Sequence, residues 1–198
     1  VDSRIGKKNV IENYDVDQQK VILSPFEPPS YLKKSKIEKI YKKYKIPENK
    51  FIFYPAQFWE HKNHINLIKA FNIIQKQDNK INLVFVGTEK NNIKNINQEI
   101  TNLNLSKKIF ILGYVDEKDM FSFYKKASLT CFVSYCGPTN IPPLEAMYTG
   151  CPLVCSNVYG MKEQIKDGGI FINPNSYEDI YKKINIVLKN NKIRKKII

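Results

Sequence analysis

The sequence predicts an α/β protein: a Rossmann-like parallel sheet with helices on both faces. Three observations predict it. From Phe51 onward, short and nearly continuous apolar runs recur, and each is followed by a stretch of helical periodicity. Such alternation joins strands by crossovers, which makes the sheet parallel and buries both of its faces. The 198 residues are enough for one good core and a small appendage.

Residues 1–30 read as a connection and edge segment. Asn9-Val10-Ile11-Glu12-Asn13-Tyr14 is helix-like, the apolar run Lys20-Val21-Ile22-Leu23 stops at Ser24-Pro25, and Pro25, Pro28 and Pro29 break regular structure. Residues 31–198 then form the domain. Ser35 to Tyr44 is expected to be a lysine-rich helix, with Ile37, Ile40, Tyr41 and Tyr44 at helical spacing and Pro47 ending it. Strands are expected at Phe51 to Pro55, Asn82 to Val86, Ile109 to Leu112, Leu129 to Val133, Pro152 to Ser156 and Gly169 to Ile172. Helices are expected between and after them, at His64 to Gln75, Ile93 to Asn102, Lys118 to Lys126, Pro143 to Tyr148, Met161 to Lys166 and Tyr177 to Leu188.

Composition narrows the function classes. Hydrophobic residues make up 42% and charged residues 26%, as in ordinary globular proteins. No stretch approaches the length of a membrane span, and Val1 to Val10 lacks the apolar centre of a signal peptide, so the expected compartment is the cytoplasm. The net charge is +13, yet the only arginines are Arg4 and Arg194, and the lysines are spread over helices rich in Asn and Ile. Base readout leans on arginine forks, so no nucleic acid is expected. The charge suits a nucleotide diphosphate or the anionic inner face of a membrane better. Cys131, Cys136, Cys151 and Cys155 approach zinc-ligand spacing, but Cys131 and Cys155 fall in apolar strand runs, where cysteine acts as a small hydrophobe. No metal and no cofactor are expected.

Candidate site residues cluster where strands end. After Leu129 to Val133 comes Ser134-Tyr135-Cys136-Gly137-Pro138-Thr139-Asn140-Ile141-Pro142-Pro143-Leu144-Glu145-Ala146-Met147. Thr139 and Asn140 can cap a helix, Pro142 and Pro143 suit its first turn, and Gly150 suits its end. The loop thus brings a helix N-terminus to the carboxyl edge of a strand, where open parallel sheets bind phosphate. Backbone amides of Thr139, Asn140 and Ile141 are candidate donors there. Glu145 can accept hydrogen bonds from vicinal ribose hydroxyls. Lys62, where the first strand turns into a helix, can reach a diphosphate as a point charge. Gly87 ends the second strand, where the backbone approaches a ligand or turns sharply. Tyr114 and Val115 follow the third strand.

These residues resemble the donor-binding domain of family-four retaining glycosyltransferases, which have the GT-B fold. The pattern there is E-x-F-G-L-P-x-L-E-A-M-A-x-G-x-P-V. Its second half fits Pro142-x-Leu144-Glu145-Ala146-Met147 with Gly150-x-Pro152-Leu153-Val154, and the whole segment is similar to a polysaccharide-building branch. The first glutamate falls on Gly137. In the family's G-R-L-x-x-x-K-N, Lys62 and Asn63 match, while Ala56 and Gln57 stand for the glycine and the arginine. The segment Ile111-Leu112-Gly113-Tyr114-Val115 resembles F-x-G-x-V, whose loop packs on the base, and the resemblance implies that Tyr114 and Val115 meet a nucleotide base.

The resemblance implies one half of a GT-B fold and transfer of a sugar, with retention, from a UDP- or GDP-type donor to a glycan or lipid-linked acceptor. Lys62 would hold the diphosphate and Glu145 the ribose. Position 137 would face the transferred sugar, and His61 or His64, if protonated, or a group from the absent domain would offset the lost arginine. The chain would begin midway in a two-domain enzyme, its acceptor domain missing and the fragment alone inactive. The basic stretch Lys189 to Lys196 would allow peripheral membrane contact. A non-catalytic nucleotide- or partner-binding domain of the same fold is the alternative.

Overall fold

The computed structural model describes residues 1–34, 36–137 and 141–198. Helix α1 (Arg4–Asn13) starts at Ser3, whose hydroxyl accepts the Gly6 amide at 3.1 Å. It therefore begins earlier than its apolar pattern suggests. The run at Val21 forms no strand; the N-terminal ammonium donates to the Ile22 carbonyl and the Ser24 amide to the Val1 carbonyl instead. Short 3₁₀ turns follow at Gln18–Lys20 and Ser30–Lys34.

The lysine-rich helix is a correction. Only α2 (Ile40–Lys43) is α-helical, and Ser35 lies outside the described residues. The Glu38 amide donates to Ser122 Oγ at 2.7 Å, so residues 36–38 lie along a neighbouring helix. Like charges three and four residues apart, at Lys36, Lys39 and Lys43, also weaken a continuous helix here.

Beyond it the alternation runs as expected: β1 (Phe51–Pro55), α3 (His64–Gln77), β2 (Asn82–Val86), α4 (Ile93–Asn102), β3 (Ile109–Ile111), α5 (Glu117–Lys126) and β4 (Leu129–Phe132). Then come α6 (Ile141–Thr149), β5 (Leu153–Ser156), α7 (Met161–Ile165), β6 (Ile170–Ile172), α8 (Tyr177–Lys189) and α9 (Asn191–Lys196). All strand pairs are parallel, in the order β3-β2-β1-β4-β5-β6. Helices α3, α4 and α8 pack together on one face, and α2, α5 and α6 on the other.

Both faces of the sheet are dry, which is why its strands read as unbroken apolar runs. Phe51, Phe53 and Phe123 cluster with ring centroids 5.3 to 6.4 Å apart and clamp α5 onto β1. Asp119, 1% exposed on α5, accepts from Tyr44 Oη at 2.6 Å and from Lys43, which fixes the 40–44 segment to the same face.

The topology places the site. From β1 the chain moves outward through β2 to β3, and from β4 it moves the other way through β5 to β6. The connections therefore diverge at the carboxyl ends of β1 and β4, the switch point at which open parallel sheets carry a ligand crevice.

Candidate nucleotide-binding crevice

Two loops wall the crevice, and they are bonded to each other. The Tyr135 amide donates to the His61 carbonyl at 2.9 Å, and the Ser134 hydroxyl lies between the carbonyls of His61 and Cys136. Asn63 adopts left-handed backbone (φ 59) and donates from Nδ2 to the carbonyls of Val133 (2.9 Å) and Pro174 (2.8 Å). Asparagine tolerates this conformation well. The Tyr54 hydroxyl holds the Lys62 carbonyl at 2.6 Å.

Lys62 thus stands on a fixed backbone at the rim. Its Nζ lies 5.4 Å from the Phe132 ring centroid. Burial lowers its pKa from the ordinary lysine value, with nearby Cys136 opposing. Gln57 is exposed, and its Oε1 accepts from Trp59 Nε1 at 2.9 Å.

Of the two histidines, His64 is ruled out as a stand-in for the arginine, and partial desolvation and the Lys62 charge work against His61. His64 is fully buried between Tyr54, Phe58 and Phe85, and burial drives its pKa down to about 3. It is a neutral core residue. His61 is exposed, yet partial desolvation and the Lys62 charge lower its pKa too. Phe58 likewise belongs to the core, while Trp59 stays at the surface beneath Lys90 Nζ, 5.2 Å from its ring.

Gly87 has a structural reason of its own. A Cβ there would stand 2.3 Å from the Ala56 carbonyl oxygen and 2.8 Å from the Gln57 nitrogen. The close approach is between β2 and the first rim loop, so glycine shapes the loop carrying Gln57. Gly113, at φ 66, turns the chain after β3 and leaves Tyr114 72% exposed, available for stacking. Val115 is 5% exposed; its side chain belongs to the core, and only its backbone can serve a base.

The second loop leads into α6 with its prolines where the sequence predicts them. Pro142 and Pro143 occupy the first turn and carry no N–H, so within that turn Ile141 supplies the amide. Thr139 and Asn140, with Pro138, lie outside the described residues. At the other end, Gly150 (φ 68) lets the Cys151 amide return to the Ala146 carbonyl at 2.9 Å, closing the helix. Gly137 opens onto a cavity of about 290 Å³ shared with Asp2, Asn9 and Tyr159. A larger one, about 710 Å³, adjoins it through Asp2, Ser3 and Gly160, and reaches Leu144, Glu163 and Lys166.

Glu145 is 6% exposed and already satisfied within the chain. Tyr31 Oη donates to Oε1 at 2.6 Å, and Tyr124 Oη donates to Oε2. Burial, then the charge of Glu145, pushes both phenols well above their ordinary pKa. No sequence pattern joins these partners, which lie 114 and 21 residues away. Tyr159 is a further residue the patterns miss: 59% exposed at φ 45, a costly conformation for an aromatic residue, it lines the cavity beside Gly137. Its only signal is the glycine that follows it.

Cys131, Cys151 and Cys155 are buried and Cys136 half-buried, all as free thiols. Burial pushes Cys151 up to about 11 and Cys155 up to about 12, which makes them inert packing groups. Among the described residues, no helix is long and apolar enough to cross a membrane.

Comparison with known proteins agrees with the architecture. A family model described as Glycosyl transferases group 1 matches residues 36–198. The O-antigen chain mannosyltransferase RfbU of Salmonella typhimurium is 27% identical over 85% of this chain and 44% of its own length. The poly(glycerol-phosphate) alpha-glucosyltransferase of Bacillus subtilis is 29% identical over 68% of this chain and 20% of its own. The chain thus spans less than half of either relative. Among solved structures, a glycosyltransferase from Rickettsia africae superposes with a TM-score of 0.86 at 23% identity, over 98% of this chain and 54% of that one. Anabaena HepE, solved with UDP and glucose, gives 0.81 at 20% identity, over 100% and 55%. The fold is one half of a GT-B molecule, as expected from the sequence.

Proposed function

The chain belongs to the Glycosyl transferases group 1 family, and on that premise we propose that it is the donor-nucleotide half of a retaining glycosyltransferase. The observation that carries this reading is Lys62, held beside Cys136 by hydrogen bonds between the two rim loops, at the point where the strand order reverses. A diphosphate placed there meets a cation and the amides of the second loop. Tyr114 faces the base and Glu145 the ribose, and the transferred sugar extends into the cavity at Gly137.

In the reaction so assigned, the bond between the anomeric carbon and the diphosphate oxygen breaks, and its electron pair stays on the phosphate. An acceptor hydroxyl forms the new bond on the same face, and its proton passes to the departing phosphate. Charge grows on the leaving group, so a preorganised cation and aligned amides lower the barrier. No protein-held metal or other cofactor enters this scheme. Residues 1–30 are the connection to an acceptor-binding half, without which the fragment binds donor but does not turn over. The acceptor is a glycan or a lipid-linked glycan, and the 189–196 stretch permits contact with an anionic cytoplasmic membrane face.

One observation favours a second reading, a nucleotide-binding domain without catalysis. Glycine stands at position 137 and glutamine at position 57, where a carboxylate and an arginine would assist sugar and phosphate. Calorimetric titration with UDP, GDP and their hexose conjugates decides the first point. Saturable binding of one nucleotide series supports the donor reading, and none at millimolar ligand refutes it. A full-length chain that binds donor yet neither transfers nor hydrolyses the sugar establishes the second reading.

A further inference from the structure

Glu145 meets two tyrosines that differ in how firmly they are held. Tyr124 sits in the core on α5, 1% exposed, and serves Oε2. Tyr31 is only partly buried, stands on the 3₁₀ turn Ser30–Lys34, and serves Oε1 at 2.6 Å. With Glu145 itself 6% exposed, Tyr31 is the outer of the two partners.

We infer that Tyr31 is a gate on the ribose position: its hydroxyl holds the Glu145 oxygen that a ribose hydroxyl needs, and an arriving nucleotide displaces it. This rests on the donor-nucleotide reading above. The exchange is chemically even for the carboxylate, because one neutral hydroxyl donor replaces another, so Glu145 is never left a buried, unsatisfied charge. The neighbouring Leu32 is 2% exposed and anchors the turn, which makes opening a rotation of the Tyr31 side chain rather than a movement of the segment. Glu117, at the start of α5, lies within electrostatic reach of the same phenol. Tyr31 is therefore a positioning residue: it acts on the nucleotide through Glu145.

The test compares two ligands on two variants. UDP or GDP, whichever the wild-type chain binds, is titrated against wild type, Tyr31→Phe and Tyr31→Leu, alongside the matching 2′,3′-dideoxy diphosphate. The gate predicts that both variants bind the ribose nucleotide about three- to tenfold tighter, the upper figure being about 1.4 kcal/mol. Affinity for the dideoxy compound stays unchanged. Unchanged or weaker ribose-nucleotide binding overturns the gate, as does an equal gain for both ligands, which would reflect general loosening. If wild type binds neither nucleotide, the donor reading fails and the gate with it; if it binds but the variants do not discriminate, the gate alone fails.

Discussion

The two sides of the crevice are built on opposite plans. At Lys62 the backbone is pinned and the charged group is left without a carboxylate partner among the described ion pairs. At Glu145 the charged group is itself pinned, with a tyrosine hydroxyl on each oxygen. On the proposed donor reading, a phosphate would add charge compensation that Lys62 lacks, whereas a ribose would first have to exchange a bond and would only replace what Glu145 already has.

The first rim can be broken from beneath through His64. Its pKa is about 3 in the fold against about 6.5 unfolded, so between these values the unfolded chain takes up a proton that the folded chain refuses. Its contribution is intact above pH 6.5 and is lost as pH falls toward 3, at most about 5 kcal/mol. Denaturation of wild type and His64→Leu at pH 7 and 4.5 should show wild type losing about 2 to 3 kcal/mol more than the variant. Equal losses would mean that the imidazole is not buried neutral.

Gly87→Ala attacks the same rim from β2. The added Cβ meets backbone, which cannot swing aside, so a loss of about 3 kcal/mol is expected, read as a lower denaturation midpoint. A neutral substitution would show that the first rim loop is looser than described. Lys62→Ala should weaken binding of the nucleoside diphosphate about tenfold to a hundredfold, with nucleoside binding little changed. Because burial lowers the Lys62 pKa, that affinity should begin to fall at a pH below the ordinary lysine value as the cation is lost. The smallest effect is expected from Gln57→Arg, which restores an exposed cation to the rim loop and should tighten diphosphate binding about threefold at low salt. Insensitivity to salt would count against a phosphate contact.

Much of the fold was legible because the strands are buried on both faces and announce themselves as apolar runs. That Lys62 and Glu145 follow neighbouring strands is a matter of topology: β1 and β4 are three strands apart in the chain and pair only because the order reverses after β3, which alternation alone does not announce. What escaped notice depends on long-range partners. Glu145 reads as a free carboxylate until Tyr31 and Tyr124 are placed beside it. His64 reads as a candidate cation until three aromatic rings enclose it. The 35–44 segment reads as a helix until Ser122 claims the Glu38 amide. Local pattern reports periodicity and charge, but a neighbour distant in sequence decides which polar groups remain available.

A crystal structure of the chain with the nucleoside diphosphate it binds best would show where the phosphates sit. Phosphate oxygens are expected within hydrogen-bonding distance of Lys62 Nζ and of the backbone amides between Tyr135 and Ile141. Phosphates bound instead beside Arg4 and Lys166, with Lys62 untouched, would contradict that placement.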